Sequence, residues 1–155
     1  DDAHLLRSQN DAVAVGVTRP GSGYSIAAVF MTELFITWLL MTVILAAANN
    51  AKWMKLTGLF AGTLVMLEVW LEAPVSGTSL NLARSLGPAL LTGESGYLWL
   101  YAIAPVSGSV LAAVSFSFVK PVKELICSKL YHTKRYKCHM PDCRFTEITN
   151  KGEEP

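Results

Sequence analysis

The fold of this chain is decided by residues 73–91, whose sequence is APVSGTSLNLARSLGPALL. This stretch is more apolar than an ordinary loop outside a membrane, but it is too short and too often interrupted to cross one. Small residues and two prolines bracket Asn81, and a short helical run follows it. That order is typical of a re-entrant segment, in which extended backbone enters the membrane and a half-helix leads back out.

Asn81 is the expected N-cap of the half-helix. Its side-chain carbonyl can accept a hydrogen bond from an early backbone N–H, and its amide can then donate to a guest molecule. The helix N-terminus adds a partial positive charge, and Arg84, one turn later, adds a permanent cation. Because the extended run before Asn81 offers unpaired carbonyls, the segment predicts a pore that passes neutral polar molecules and opposes cations and protons.

Three apolar stretches around this segment are candidates to cross the membrane. They occupy residues 26–48, 56–72 and 97–119. A helix of 23 residues rises about 35 Å, which exceeds a hydrocarbon core of about 30 Å. The middle stretch is shorter and carries Glu68 and Glu72, which we expect to hold the loop or to lie at the membrane interface. The pattern predicts an all-α membrane protein with three transmembrane helices and one re-entrant half-helix.

The composition agrees with a membrane protein and excludes several other classes. Of the 155 residues, 52% are hydrophobic and 16% are charged, against about 25% charged residues in soluble domains. Thirteen basic residues against twelve acidic ones give a net charge of +1, which excludes a basic nucleic-acid binder and an acidic disordered chain. The sequence has no phosphate-binding loop, nucleophile elbow or His-Glu-x-x-His motif, so we predict neither an enzyme nor a bound cofactor.

The basic residues predict which side of the membrane each segment faces. Two lie in the connection at residues 49–55 and eight in residues 120–155, so ten of the thirteen lie on one side. By the positive-inside rule this side is the cytoplasm. We therefore expect an extracytoplasmic loop at residues 1–23, a membrane unit at residues 24–119 and a cytoplasmic tail at residues 120–155. The expected location is a plasma membrane or a bacterial inner membrane.

The tail contains cysteines and histidines that allow two interpretations. Cys138 and Cys143, with His132 or His139 nearby, could offer ligands to a zinc ion. The interpretation that we favour is a set of reduced thiols without metal in the cytoplasm, where disulfides are rare. The basic residues close to the last span are expected to contact anionic lipid.

Residues 76–89 resemble the second signature loop of the major intrinsic protein family, which comprises the aquaporins and glycerol facilitators. The resemblance covers roughly residues 10–120 and extends to these positions in the outer spans: Glu33, Trp99, Tyr101, Pro105 and Gly108. It implies one repeat of an inverted-repeat fold, namely the fourth, fifth and sixth helices with the re-entrant loop. It also implies a passive channel for water or small neutral solutes such as glycerol, which forms a homotetramer in the lipid bilayer and binds no nucleic acid.

The resemblance implies which residues contact the permeating molecule. Asn81 matches the asparagine that donates to this molecule at mid-membrane, and Ala83 belongs to the same motif. Arg84 matches the arginine of the narrow selectivity filter. Val69 and Thr78 match the filter positions on the fifth helix and on the loop. Val69 is small and apolar, which favours a filter wide enough for small solutes.

Other matching residues shape the loop and the pore wall. Gly77 and Ser79, with the residue between them, match the ladder of backbone carbonyls that accept from the solute. Glu33 matches the buried glutamate that holds the loop backbone. Val65 and Leu40 fall near positions that line the pore with apolar surface.

Two departures from the family pattern bear on function. Leu82 replaces the proline of the Asn-Pro-Ala motif; leucine can take the same backbone conformation, but the contact that proline makes between two half-helices is lost. The sequence also carries only one repeat and begins at Asp1 rather than at Met, which suggests a fragment of a six-span channel. The alternative is a truncated, non-conducting homologue that acts as a structural or regulatory membrane subunit.

Overall fold

The computed structural model describes residues 16–50 and 52–119 together with Cys138 and Cys143. Within these residues the chain forms four α-helices and no strand: α1 (Ile26–Ala48), α2 (Thr57–Ser76), α3 (Leu82–Thr92) and α4 (Leu98–Val119). Helices α1 and α4 are long and apolar enough to cross a membrane, and so is α2 together with the 3₁₀ turn that precedes it. The predicted all-α fold with three candidate spans is therefore confirmed.

Helix α1 occupies the same residues as the first predicted span. The hydroxyl of Ser25 accepts from the N–H of Ala28 at 3.2 Å, and this bond caps the N-terminus. At the other end, the N–H of Asn49 donates to the carbonyl of Leu45 at 3.1 Å. Inside the helix, the hydroxyl of Thr37 donates to the carbonyl four residues earlier, which satisfies this polar group without a partner outside the helix.

Helix α1 is the element on which its neighbours pack. Its most extensive contacts are with α4, followed by those with α2. Gly108 permits the close approach of α4, because a Cβ atom there would lie 2.4 Å from the carbonyl oxygen of Leu34. Val29 of α1 packs with Leu100 and Tyr101 of α4 in the buried core. This core lies beside the end of α2, so it can support the segment that follows α2.

Helix α2 ends later than the sequence predicts. We expected the span to stop at residue 72, but the helix continues for about one further turn, with Pro74 inside it. Pro74 lacks only its own N–H, whereas the N–H of Gly77 still donates to the carbonyl of Ala73 at 3.1 Å. Gly77 then takes a left-handed φ of +78°, which ends the helix. The non-helical part of the re-entrant segment is therefore shorter than expected and begins at Gly77.

Helix α3 is the short helix that follows this segment. Its 11 residues rise about 16 Å, which is roughly half of a hydrocarbon core. Asn81 caps its N-terminus, and Gly93 ends it with a φ of +76°. Ser85 and Ala89 lie on its buried side. The helix therefore has the length and the position of the predicted half-helix.

Helix α2 leaves more of its apolar surface uncovered than the other two spans. In its most apolar window 11% of the residues are buried, against 22% in α1 and in α4. Its exposed large side chains are Leu59, Met66, Leu67, Val69, Trp70 and Leu71. Exposed apolar surface of this extent is typical of a face that contacts lipid or further protein.

Candidate functional site

Residues 77–80 take a backbone conformation that chains rarely adopt without support. The φ angle is +78° at Gly77, +47° at Thr78 and +56° at Leu80. For a residue with a Cβ atom, the left-handed region costs about 1–2 kcal/mol. Such backbone persists only where surrounding contacts hold it.

Glu33 of α1 supplies two of these contacts. Its Oε1 atom accepts from the N–H of Ser79 at 2.7 Å, and its Oε2 atom accepts from the N–H of Leu80 at 2.9 Å. The side chain is fully buried, so both bonds are shielded from water. From α4, the hydroxyl of Tyr101 donates to the carbonyl of Ser76 at 2.8 Å. Two different helices therefore hold the loop.

Asn81 follows the loop and caps α3 with its side chain. Its backbone is extended, and its Oδ1 atom accepts from the N–H of Ala83 at 2.9 Å. Because the cap uses Oδ1, the exposed side chain offers its amide Nδ2, which is a donor only. Leu82 occupies the first helical position, where the family motif has proline, and the helix still begins with a capped turn.

The side chain of Arg84 lies between the loop and the segment before α1. Its Nη1 atom donates to Oγ1 of Thr18 at 2.9 Å and to the carbonyl of Gly77 at 3.3 Å. We expected the Gly77 carbonyl to remain unpaired, but it already has a donor. Arg84 remains exposed, as Asn81 does. Asn81 caps α3 and Arg84 lies in its first turn, so the two residues present two exposed hydrogen-bond donors beside the loop.

Thr18 is a site residue that the sequence does not predict. It lies 66 residues before Arg84 in the chain and outside the spans, so neither periodicity nor spacing singles it out. The only local signal is the Pro20–Gly21 pair nearby, which favours a turn. A turn alone does not indicate which distant side chain the segment contacts.

Two contacts fix the segment that carries Thr18. The N–H of Gly21 donates to the carbonyl of Val75 at 2.8 Å, close to the end of α2. Arg19 forms an ion pair with Glu94, which lies in the turn between α3 and α4. A cleft of about 250 Å³ lies between the segment that carries Thr18 and the turn between α3 and α4. It is lined by residues 17–19 and 93–97.

The remaining predicted site residues differ in their accessibility. Val69 is 44% exposed, and Val65, one turn earlier on α2, is half-buried, as Leu40 is on α1. Thr78 and Ser79 are both 2% exposed. A solute could therefore touch the side chain of Val69, whereas Thr78 and Ser79 could act on it only through their backbone.

A second buried acid, Glu68 of α2, does not hold the loop. It is 4% exposed, and neither of its carboxylate oxygens has a hydrogen-bond partner among the described residues. Of the two expectations for Glu68, that it holds the loop or that it lies at the membrane interface, the first is not met. The N–H groups of Ser79 and Leu80 already donate to Glu33.

Most of the predicted tail lies outside the described residues. Cys138 and Cys143 are each half-buried, and His132 and His139 are not described. Among the residues that the structure describes, no group of three or more His, Cys, Asp and Glu side chains could hold a metal ion. The interpretation of the tail stays a prediction.

Comparison with known proteins gives a family and a set of relatives. The family model of the major intrinsic proteins matches residues 3–116. The chain is 39% identical to Aquaporin NIP1-1 of Oryza sativa subsp. japonica over 98 residues, which are 60% of this chain and 34% of that protein. It is 37% identical to Aquaporin NIP1-2 of Arabidopsis thaliana over 129 residues, which are 80% of this chain and 42% of that protein. The chain thus spans about a third to two-fifths of the length of the curated relatives it matches.

Proposed function

The chain belongs to the major intrinsic protein family, and we propose that it forms part of a passive membrane channel for water or small neutral solutes such as glycerol. The observation that carries the proposal is the pair of exposed donors at Asn81 and Arg84, beside a strained loop that buried groups hold in place. Three helices that are long and apolar enough to cross a membrane support an integral membrane protein.

The geometry suits a polar solute without net charge. The amide of Asn81 and the guanidinium of Arg84 can donate to a hydroxyl or to the oxygen of water. The N-terminus of α3 adds a partial positive charge, which together with Arg84 opposes cations and protons. Val69 is exposed on α2 and its side chain offers no hydrogen bond, and we assign Val65 and Leu40 to the same apolar lining of the pore. In the proposed pore a solute would meet these donors together with apolar surface.

We assign residues 24–119 to one of the two repeats that wall the pore. The uncovered apolar faces of α2 and α3 would contact the second repeat, lipid, or neighbouring copies in a homotetramer. The basic residues support placing the connection at residues 49–55 and the tail at residues 120–155 in the cytoplasm, with residues 1–23 outside. A plasma membrane or a bacterial inner membrane suits this arrangement.

The experiment that tests this function is flux through the complete protein in liposomes. We expect water or glycerol to cross faster than through protein-free liposomes, without a cation current. Arg84→Ala removes a donor and the cation of the proposed filter, so it should change the ratio of glycerol to water permeability or admit cations. Lys52→Ala removes a positive charge from the connection between α1 and α2 and is the matched control. Folded protein that carries no flux would contradict the proposal and favour a non-conducting subunit.

A further inference from the structure

A continuous chain of hydrogen bonds joins Arg84 to Asn81 through three hydroxyl groups. The Nη1 atom of Arg84 lies 2.9 Å from Oγ1 of Thr18, which lies 2.8 Å from Oγ of Ser85. That oxygen lies 2.6 Å from Oγ of Ser79, which lies 3.0 Å from the carbonyl oxygen of Asn81. The three hydroxyl-bearing residues are all buried, so bulk water does not compete for the two bonds that join them to one another.

The two ends of the chain fix the direction of every bond in it. The carbonyl of Asn81 can only accept, so Ser79 donates its one hydroxyl proton there. Ser79 must then accept from Ser85, and Ser85 must accept from Thr18. The guanidinium of Arg84 can only donate, so Thr18 accepts from it, as the other bonds require. All four bonds therefore point from Arg84 towards Asn81.

Ser85 is the middle link and has no access to the surface. Bonds aligned head to tail polarise one another, and the loss of one member leaves its buried neighbours unsatisfied. Without the hydroxyl of Ser85, Thr18 has no acceptor for its proton and Ser79 has no donor. Because Ser85 is 2% exposed, it can influence a solute only through the groups that it holds.

We propose that Thr18, Ser79 and Ser85 are positioning residues that hold Arg84 in a fixed place relative to the Asn81 cap, and that they thereby determine which neutral solutes pass. The inference rests on the proposed channel function. The three hydroxyls lie on three separate segments, before α1, in the loop and in α3. The chain of hydrogen bonds therefore links these three segments to one another. Without the hydroxyl of Ser85, the Thr18 hydroxyl loses the acceptor that orients it towards Arg84. Without the hydroxyl of Thr18, the bond of Nη1 to the Gly77 carbonyl is the side-chain contact that remains for Arg84 among the described residues, and the side chain gains freedom.

The test is the ratio of glycerol to water permeability of the complete protein in liposomes. Ser85→Ala removes the hydroxyl and little volume, and we expect the ratio to change by about fivefold or more, because an unsatisfied buried hydroxyl shifts an equilibrium by at least that factor. Ser85→Thr keeps the hydroxyl and should restore the ratio. Ser117→Ala removes an exposed hydroxyl of α4 that donates to the carbonyl of Val114 in its own helix, and it should leave the ratio unchanged.

Thr18→Val tests the same chain from its other end and replaces Ser85→Ala if that variant does not fold. Valine keeps the methyl group that borders Gly77, but it can neither accept from Arg84 nor donate to Ser85. We expect the ratio to change in the same direction in both single variants. Both variants interrupt the same chain of hydrogen bonds. The double variant should therefore change the permeability ratio no further than the larger single variant does.

Several outcomes would overturn the inference while the channel itself stands. One is an unchanged ratio in Thr18→Val or in Ser85→Ala. Another is an equal change in Ser85→Ala and Ser85→Thr, which would assign the effect to packing volume rather than to the hydroxyl. Additive effects in the double variant would show that the two residues act separately. If the wild-type protein carries neither water nor glycerol, the channel proposal and this inference fail together.

Discussion

Two glutamates are buried on neighbouring helices, and they differ in whether their carboxyl oxygens have hydrogen-bond donors. Glu33 on α1 is fully buried, and each of its carboxylate oxygens accepts from a backbone N–H of the loop. Glu68 on α2 is also buried, but neither of its oxygens has a partner among the described residues. The difference shows that burial alone does not make an acid part of the site. What places Glu33 in the site is the pair of donors that it meets.

The energetics of the two acids differ accordingly. Moving a carboxylate out of water costs several kcal/mol even after the protein relaxes. Glu33 offsets this cost with two hydrogen bonds, and it satisfies two N–H groups that the left-handed loop cannot satisfy by itself. Glu68 has no such offset within the described residues. Nothing in the described structure explains why an acid occupies this position.

Glu33→Leu should have the largest effect. It removes both acceptors and leaves the N–H groups of Ser79 and Leu80 unsatisfied, so we expect the free energy of unfolding in detergent to fall by about 3 kcal/mol or more. Flux in liposomes should be lost, because Gly77, Thr78 and Leu80 leave their left-handed conformation once the loop loses its support. Denaturant unfolding and stopped-flow flux measure the two effects.

Glu33→Gln tests how much each of the two acceptors of Glu33 contributes to stability. It keeps one side-chain acceptor for the loop but presents an N–H₂ group to the other backbone N–H, so its stability should lie between those of the wild type and Glu33→Leu. If Glu33→Leu were as stable as the wild type, the loop would hold itself, and the contrast between the two acids would have no energetic meaning.

Tyr101→Phe should have a smaller effect on the same loop. The change removes the hydroxyl that donates to the carbonyl of Ser76 at 2.8 Å but keeps the ring in the core. We expect the free energy of unfolding to fall by about 1–2 kcal/mol, the usual cost of one buried bond with its acceptor left behind. Tyr97→Phe, at a residue that is 45% exposed, is the matched control and should change little. If the free energy of unfolding fell equally in both variants, the Tyr101 hydroxyl would not be a specific support of the loop.

The helices could be predicted from the sequence because their signals are local. A mostly apolar run of 23 residues with one charge is enough to predict α1, and the residues on either side of the run, Ser25 and Asn49, cap it. The sequence places the end of α2 too early, because Pro74 and the small residues near it favour extended backbone. The helix ends instead where Gly77 takes a left-handed φ, which depends on the space beside Thr18 as well as on the sequence.

The contacts of the site could be predicted only in part, because they join distant segments. Asn81 was identifiable as a cap from its neighbours, and Glu33 was identified through a family resemblance. Hydropathy gives Glu33 and Glu68 the same value, so it cannot show which of them meets donors. The bond between Thr18 and Arg84 crosses 66 positions, and no periodicity carries information over that distance.

The smallest effect is expected at Glu68, and its sign should be opposite to that of Glu33. Leucine fills a similar volume without polar atoms, and replacing a buried polar group that has no hydrogen-bond partner removes the cost of burying it, so Glu68→Leu should leave the free energy of unfolding unchanged or raise it by about 1 kcal/mol. Glu68→Gln keeps the shape and the polar atoms, so its free energy of unfolding should lie between those of the wild type and Glu68→Leu. The measurement is the unfolding experiment used for Glu33→Leu, under the same conditions. A fall of about 2 kcal/mol or more in Glu68→Leu would mean that Glu68 meets a donor beyond the described residues, and the two acids would then be alike.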